Sequence, residues 1–436
     1  MKCHFIGIKG SGMSALAQIF SDLGYEVQGS DVTGHIFTQD ELEKRKIKLL
    51  PFSEDNIDNN MEVVIGNSFV NHLEAKKSYE LGNNTRKYYE VLRDFSIQYK
   101  TIAISGCHGK TTTTGLLSHV LNNLVGCNYL IGDGTGYAKK DNEYFVLEAC
   151  EYKRVFLNYF PTHLIITNIE LEHVDYYKDI EDVLSAFQSF VEQTKDMVFA
   201  YGDDEKVRSL NYNKVMFYGF NDNNDIVAKN IQSTTSGSSF DVYINNNLYG
   251  HFDIPLFGEH MILNALAVIG VCYIEGLSGN EVSRELKGFK GVKRRFNETK
   301  IEDIITIDDY AHHPTEIKAT ISAARQKYPD KEIVAVFKPN TYSRTKMLAP
   351  DFVKALDLAD KAYVTDIFCD RERPEDYLNV TSALIIDNLI KGEHISDETV
   401  DKLLKHKNAV ILFMSCKNIY DLREKYEDFL KHKNYK

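Results

Sequence analysis

A chain of 436 residues is long enough for about three domains at ~150 residues each. Its 43% hydrophobic and 26% charged content is that of a globular chain, and a net charge of −12 argues against a nucleic-acid or anionic-membrane partner, either of which wants a basic face. The seven cysteines, Cys3, Cys107, Cys127, Cys150, Cys272, Cys369 and Cys416, form no Cys-x-x-Cys pair, which predicts reduced thiols rather than a zinc site or a disulfide framework. Glycine interrupts the N-terminus before a signal-type apolar region forms, and no apolar run approaches the ~20 residues of a membrane helix; a cytoplasmic protein is expected.

A first strand is expected near residues 4–8, followed by Gly7-Ile8-Lys9-Gly10-Ser11-Gly12-Met13-Ser14-Ala15 and an amphipathic helix over 16–23. Gly10-x-Gly12-x-x-Ala15 fits the dinucleotide fingerprint, with Asp31 at the ~20-residue offset of a ribose-binding acid. A nicotinamide or flavin enzyme is therefore a real competitor here, although backbone amides in such a turn hold any pyrophosphate. Residues 63–68 read as another strand, whose polar exit, Asn67 and Ser68, is either a ligand contact or a plain turn. The segment 88–99 leads to the next domain, with the boundary near residue 97.

Thr101-Ile102-Ala103-Ile104 then feeds Ser105-Gly106-Cys107-His108-Gly109-Lys110-Thr111-Thr112-Thr113-Thr114, and the apolar spacing beyond Gly115 suits a helix. Strand, glycine turn and helix start together form the setting of a phosphate loop. Gly106 and Gly109 let amides turn inward, and the helix N-terminus adds donors and partial positive charge. Lys110 can reach the β- and γ-phosphates, and the hydroxyl of Thr111 or Thr112 suits Mg²⁺. Two residues separate the glycines, where the usual form has four.

Further strands are expected at 144–149, 163–168, 197–201 and 215–218. The first closes on Glu148-Ala149-Cys150-Glu151 and the second on Thr167-Asn168-Ile169-Glu170-Leu171-Glu172-His173-Val174-Asp175. Ligands gather at the carboxyl ends of parallel strands, so Glu148 and His173 can face the phosphate loop and hold a metal or its waters. A salt bridge for Glu148 and a surface position for His173 are the alternatives.

The polar, alternating stretch 225–250 reads as an antiparallel hairpin. In the helix expected from Gly258, His260 and Asn264 share a face at i, i+4 spacing, suited to a base edge, to capping or to packing. Gly291-Val292-Lys293-Arg294-Arg295-Phe296 is a concentrated basic cluster, either solvated or anion-binding. A third domain is expected from residue 297, with strands at 304–308, 332–337, 361–366 and 409–414. Asp309-Tyr310-Ala311-His312-His313-Pro314 and Lys338-Pro339-Asn340-Thr341-Tyr342-Ser343-Arg344 form polar exits that make a small-molecule site. The fold class is thus α/β with three domains: a Rossmann-like 1–97, a central 98–296 with a mostly parallel sheet and a hairpin, and a Rossmann-like 297–436. Two phosphate loops imply two phosphorylated ligands, and a dehydrogenase has no use for the second.

Over essentially its whole length the chain resembles the Mur ligase family. The resemblance rests on the two glycine loops, the Glu148 and His173 strand ends, Gly258-Glu259-His260 with Asn264-Ala265, the 291–296 cluster, Asp308-Asp309-Tyr310-Ala311-His312-His313-Pro314-Thr315-Glu316, and Tyr342-Ser343-Arg344-Thr345. It implies ATP-dependent joining of L-alanine to the lactyl carboxylate of UDP-N-acetylmuramic acid through an acyl phosphate, in peptidoglycan precursor synthesis. The alternatives within this resemblance are a peptide-recycling ligase and a nucleotide-binding homologue that has lost ligation. It further implies UDP-sugar binding by Gly10, Ser11, Gly12, Met13, Ser14, Asp31, Asn67 and Ser68. ATP falls to Gly106, Cys107, His108, Gly109, Lys110, Thr111 and Thr112 with His260, Asn264 and Arg295, and Mg²⁺ to Thr111, Glu148 and His173. Tyr310 and His312 fall to the amino acid and Arg344 to the alanine carboxylate or the acyl phosphate, with Lys110, His312 and Arg344 catalytic and His312 or Asp309 a candidate base. The chain departs from the family pattern at Cys150, Glu172 and Thr341, and at Ser415-Cys416-Lys417-Asn418 in place of a glycine-bearing turn, which predicts a weaker hold on alanine.

Overall fold

The apolar, β-branched runs form the strands of three sheets in a computed structural model that describes residues 2–369 and 372–432. The first sheet contains β1 (Lys2–Ile6), β2 (Glu26–Asp31), β3 (Lys48–Pro51), β4 (Glu62–Ile65) and β5 (Asn84–Lys87) in the order β3-β2-β1-β4-β5, all parallel. The helix Ser11–Asp22 follows β1 and buries Met13, Ala15, Leu16, Ile19 and Phe20.

The second sheet opens with β6 (Lys100–Ser105), β7 (Cys127–Leu130), β8 (Gly136–Tyr137), β9 (Tyr144–Glu148) and β10 (His163–Ile166). It continues with β11 (Met197–Tyr201), β12 (Val215–Gly219), β13 (Ile226–Thr234), β14 (Gly237–Ile244) and β15 (Asn247–Ile254). The order is β15-β14-β13-β12-β11-β10-β6-β9-β7-β8. β6 lies between β9 and β10, parallel to both, with Ile104 opposite Glu148 and Ser105 opposite Ile166. That order sets three strand exits side by side at one end of the sheet, which is where ligands collect in such folds. The expected hairpin is a run of three strands; Asn245 and Asn246 both have positive φ, as a two-residue hairpin turn with right-handed strand twist requires.

The third sheet contains β16 (Asn297–Ile301), β17 (Ile304–Asp309), β18 (Glu332–Phe337), β19 (Lys361–Val364), β20 (Gly392–His394) and β21 (Ala409–Met414), in the order β16-β17-β21-β18-β19-β20. The antiparallel edge strand β16 escaped the sequence reading because Asn-Glu-Thr-Lys-Ile is exposed and carries no apolar alternation. No helix among the described residues is long and apolar enough to cross a membrane.

By internal contacts the chain divides into two units. One is Met1–Lys229 with Asp241–Phe252 and Leu263–Phe289; the other is Asn230–Phe240 with Asp253–Ile262 and Lys290–Lys436. The first sheet and the phosphate-loop strands share the first unit and one continuous apolar core running from Cys3 and Phe5 to Val207 and Leu210. The buried Gln18 amide ties them together: its Nε2 donates to Gly134 O at 2.7 Å, and Gly136 N donates to its Oε1 at 3.1 Å. A Cβ on Gly136 would lie 2.0 Å from Ala15 O, so only glycine permits this approach.

At the opposite ends of β6, β9 and β10, the Glu275 carboxylate accepts from Lys100 Nζ at 2.6 Å and Tyr144 Oη at 2.7 Å, and meets His163 Nε2 at 2.7 Å. Burial alone would raise this carboxyl, but the bonds from His163, Lys100 and Tyr144 overcome it and hold it at about 2. A depressed native pKa contributes stability above the unfolded value of 4.5 and loses it as pH falls toward about 2. Urea titrations should show the parent losing about 2 kcal/mol from this group between neutral pH and pH ~3. Glu275→Gln should be destabilised at neutral pH and lack that component; an identical pH dependence in the two proteins would refute the assignment.

Candidate functional site

β6 delivers Ser105 into a turn in which Gly106 has φ +138° and Gly109 φ +81°, backbone settings that side chains resist. A Cβ on Gly106 would lie 2.1 Å from Thr167 Oγ1. The exit of β10 braces the loop: Cys107 N donates to Asn168 O at 3.2 Å, His108 N to Asn168 Oδ1 at 2.9 Å, and Thr167 Oγ1 to His108 O at 2.6 Å. His108 Nε2 lies 3.3 Å from Glu170 Oε2, and Cys107 Sγ donates to Glu170 O at 3.2 Å. The loop is thereby fixed by its own sheet, and the helix Lys110–Leu124 starts from it with Gly109 as N-cap. Asn264 faces the same turn, its Oδ1 2.9 Å from where a Cβ of Gly109 would stand. His260 is one turn earlier on the helix Glu259–Ile274; burial and the Arg295 charge lower its imidazole to about 4, so it is neutral at physiological pH.

Lys110 folds back over the loop, Nζ donating to Gly106 O at 2.5 Å and Cys107 O at 3.1 Å, with Glu151 Oε2 at 3.0 Å. Burial opposes the ammonium charge, yet the Glu151 carboxylate outweighs it and raises the pKa, so Lys110 stays a cation. Burial likewise works against ionised Glu151, and Lys110 with His173 reverses that, leaving it below the usual carboxylate range. Glu151 is the residue the sequence reading passed over, although it stands in the same exit run as Glu148. It meets His173 Nε2 at 3.1 Å.

Thr111 Oγ1 donates to Glu148 Oε1 at 3.0 Å, and Gly132 N to Glu148 Oε2 at 2.7 Å. A hydroxyl and a carboxylate oxygen this close are a donor set for a hard divalent cation. His173, the third residue expected at Mg²⁺, has φ +54°, and its Nε2 lies 3.1 Å from Glu151 Oε1. Thr112 is buried in the first helical turn.

In the first sheet, Gly10 is the N-cap of Ser11–Asp22, with Ser11 and Gly12 partly open and Met13 and Ser14 buried. Tyr88 stands over Gly12, its Oη 2.5 Å from a Cβ there. Asp31 braces the turn, with Oδ2 accepting from Lys9 N and Oδ1 from Val32 N, both at 2.7 Å. Asn67 and Ser68 are exposed at the exit of β4.

In the other unit, the exits of β17, β18 and β21 carry the remaining residues. Tyr310 lies between two arginines, Arg294 at 4.9 Å and Arg295 at 5.0 Å from its ring centroid, and burial raises its phenol to about 12. His312 Nδ1 is 3.0 Å from Glu316 Oε2, which orients the ring, and Arg295 is 3.7 Å from the other oxygen of Glu316. Asp309, the other candidate base, accepts from Phe296 N at 2.9 Å, Ala311 N at 2.8 Å and Thr320 Oγ1 at 3.2 Å, bonds that brace the exit of β17. Arg344 sits in the first turn of Tyr342–Leu356, and its charge reaches the half-buried Cys416 thiol. That turn is capped by Glu372, a second residue the sequence reading did not name, whose Oε2 accepts from Tyr342 N at 2.6 Å and Ser343 N at 3.2 Å.

A lysine-bearing phosphate loop on the central strand, an acid–hydroxyl pair beside it and a separate sheet presenting an oriented histidine define a multidomain nucleotide-binding protein of the P-loop type. Family models match almost the whole chain: "Mur ligase family, catalytic domain" over residues 2–100, "Mur ligase middle domain" over 104–272 and "Mur ligase, glutamate ligase domain" over 294–416. The chain belongs to the Mur ligase family. It is 49% identical over 431 residues, 98% of either chain, to the UDP-N-acetylmuramate--L-alanine ligase of Lactiplantibacillus plantarum. It is 48% identical to that of Levilactobacillus brevis, covering 98% of this chain and 97% of the relative. The solved UDP-N-acetylmuramate-alanine ligase MurC of Thermotoga maritima superposes with a TM-score of 0.81 at 26% identity, with full coverage of both chains.

Proposed function

We propose that this protein joins L-alanine to the lactyl carboxylate of UDP-N-acetylmuramate, converting ATP to ADP and phosphate. The observation that carries the reading is near-half identity across 98% of the chain to proteins of that named activity, together with the Lys110–Glu151 and Thr111–Glu148 pairs at the phosphate loop. A carboxylate does not expel oxide to accept an amine, so the γ-phosphoryl group first passes to it and ADP leaves. The amine of alanine attacks the resulting acyl phosphate, and phosphate departs from the tetrahedral intermediate.

In this scheme Lys110 and the loop amides hold the charge of the transferring phosphoryl group, which is most of what a protein can contribute to such a step. The site residues fit Mg²⁺ at Thr111 and Glu148, where it would supply further neutralisation of phosphate charge. Glu151 keeps Lys110 charged and aimed at the loop. The glycine turn at Gly10 to Ser14 holds the UDP-sugar, and Tyr310, His312 and Arg344 receive alanine, Arg344 its carboxylate. Alanine arrives as an ammonium ion, so His312, oriented by Glu316, accepts the proton.

The direct test is phosphate release from ATP with UDP-N-acetylmuramate and a panel of alanine, glycine, serine and L-Ala-γ-D-Glu-meso-diaminopimelate. Release that depends on alanine is expected; release with the tripeptide alone assigns a recycling ligase, and tight UDP-sugar binding without release assigns a protein that has lost ligation. For the base, His312→Gln should cut amide formation about 100-fold while hydroxylamine still traps acyl phosphate at the parental rate. Unchanged ligation in that variant removes His312 from the role.

A further inference from the structure

The turn after β21, Ser415-Cys416-Lys417-Asn418, lacks glycine, and its main chain is held by a side chain from far away in sequence. Arg294 Nη2 donates to Ser415 O at 2.8 Å and to Lys417 O at 3.1 Å. The same guanidinium lies between two aromatic rings, 4.9 Å from the centroid of Tyr310 and 5.0 Å from that of Tyr420, with Asp308 Oδ2 3.8 Å from Nε. Its main chain also grips the exit of β17, since Arg294 O accepts from Tyr310 N at 2.9 Å.

One residue therefore ties together the exits of β17 and β21 and the start of the helix Tyr420–His432. Arg294 and Phe296 have φ of +57° and +54°, a setting that non-glycine residues keep only where surrounding contacts enforce it. The turn has other ties: Ser415 N donates to Asp309 O at 3.1 Å, Ser415 Oγ to Lys338 O at 3.2 Å and Lys338 Nζ to Asn418 O at 2.7 Å, while Lys417 N donates to Ser415 Oγ at 3.1 Å within the turn. Arg294 bridges Cys416, holding the carbonyls on either side of it.

We propose that Arg294 is a positioning residue, fixing the 415–418 turn and the face of Tyr310 so that a turn without glycine still shapes the amino-acid pocket. The pocket half of this inference rests on the function proposed above; the clamp half does not. The basic cluster thus divides its work: Arg294 serves backbone carbonyls, and Arg295, beside Glu316 and Tyr310, faces the chemistry. Lysine is a poor substitute, because an ammonium can reach carbonyls but has no planar face to stack between two rings.

The test uses full-length Arg294→Lys, Arg294→Met and, in case the methionine variant does not fold, Tyr420→Leu. Thiol labelling mapped by mass spectrometry reads the Cys416 rate against exposed Cys150 as internal standard. Labelling of Cys416 should rise about 10-fold in Arg294→Met and less in Arg294→Lys and Tyr420→Leu, as expected when a local opening becomes easier. The KM for alanine should rise about 10-fold while those for ATP and UDP-N-acetylmuramate stay within about 2-fold, a split that general loss of structure does not produce. Unchanged Cys416 labelling in every folded variant overturns the clamp. Faster labelling with an unchanged alanine KM overturns the pocket assignment alone, and a parent inactive with alanine refutes the proposed function while the labelling result still decides the clamp.

Discussion

Lys110→Ala should lower amide formation by about three orders of magnitude or more, the scale seen when a principal charge partner of a transferring phosphoryl group is removed. Lys110 is the cation that the sheet itself aims at the phosphate loop, through Gly106 O, Cys107 O and Glu151. Removing it also leaves Glu151, 3% exposed, with His173 alone, so the variant should lose about 3 kcal/mol of stability, as broken buried pairs do. A Lys110→Ala, Glu151→Ala double variant separates the two effects: stability should largely return while turnover does not. Phosphate release and thermal unfolding read the outcome. A parental rate in Lys110→Ala would sink the phosphoryl-transfer mechanism.

The second large effect is expected at Glu148. Glutamine preserves its shape but removes the charge and turns a donor toward either Thr111 Oγ1 or Gly132 N, both of which now donate to carboxylate oxygens. Glu148→Gln should therefore raise the Mg²⁺ concentration for half-maximal rate at least about 10-fold and lower kcat about 100-fold. Calorimetric titration should show ATP binding losing its Mg²⁺ dependence in the same proportion. Glu275→Gln, at the far end of the same sheet, serves as the control and should leave the Mg²⁺ curve where it was. If Glu148→Gln matches the parent across the Mg²⁺ titration, the Thr111–Glu148 pair has no part in holding the ion.

Much of this was legible in the residues. Thr101 to Ile104 read as a buried strand because its β-branched run suits one, and the glycines on either side of Cys107-His108 read as a turn before Lys110, where Gly106 and Gly109 do take positive φ. The strands Met197–Tyr201, Glu332–Phe337 and Ala409–Met414 begin and end where the apolar runs do. What stayed hidden were partners set by the third dimension. Glu151 read as a neighbour of Glu148, yet in a strand exit the two side chains diverge, one to Thr111 and one to Lys110. His173 read as a companion of Glu148 at the phosphate loop, and no spacing announced that its Nε2 also meets Glu151. Arg294 read as one charge among three basic residues; only the return of β21 beside β17 reveals that its donors belong to carbonyls more than a hundred positions away. Glu372 reaches the helix at Tyr342 across a loop whose composition announces nothing.

The tie between Gln18 and the strand ending at Gly136 has a last consequence. Because the sheet with the glycine turn and the sheet with the phosphate loop share one core and a junction too tight for a methyl group, the span between the two loops is inherited from folding. Under the function proposed above, neither nucleotide would have to spend binding energy drawing its loop toward the other, and the reach from sugar carboxylate to γ-phosphate would be a dimension of the protein before either ligand arrives.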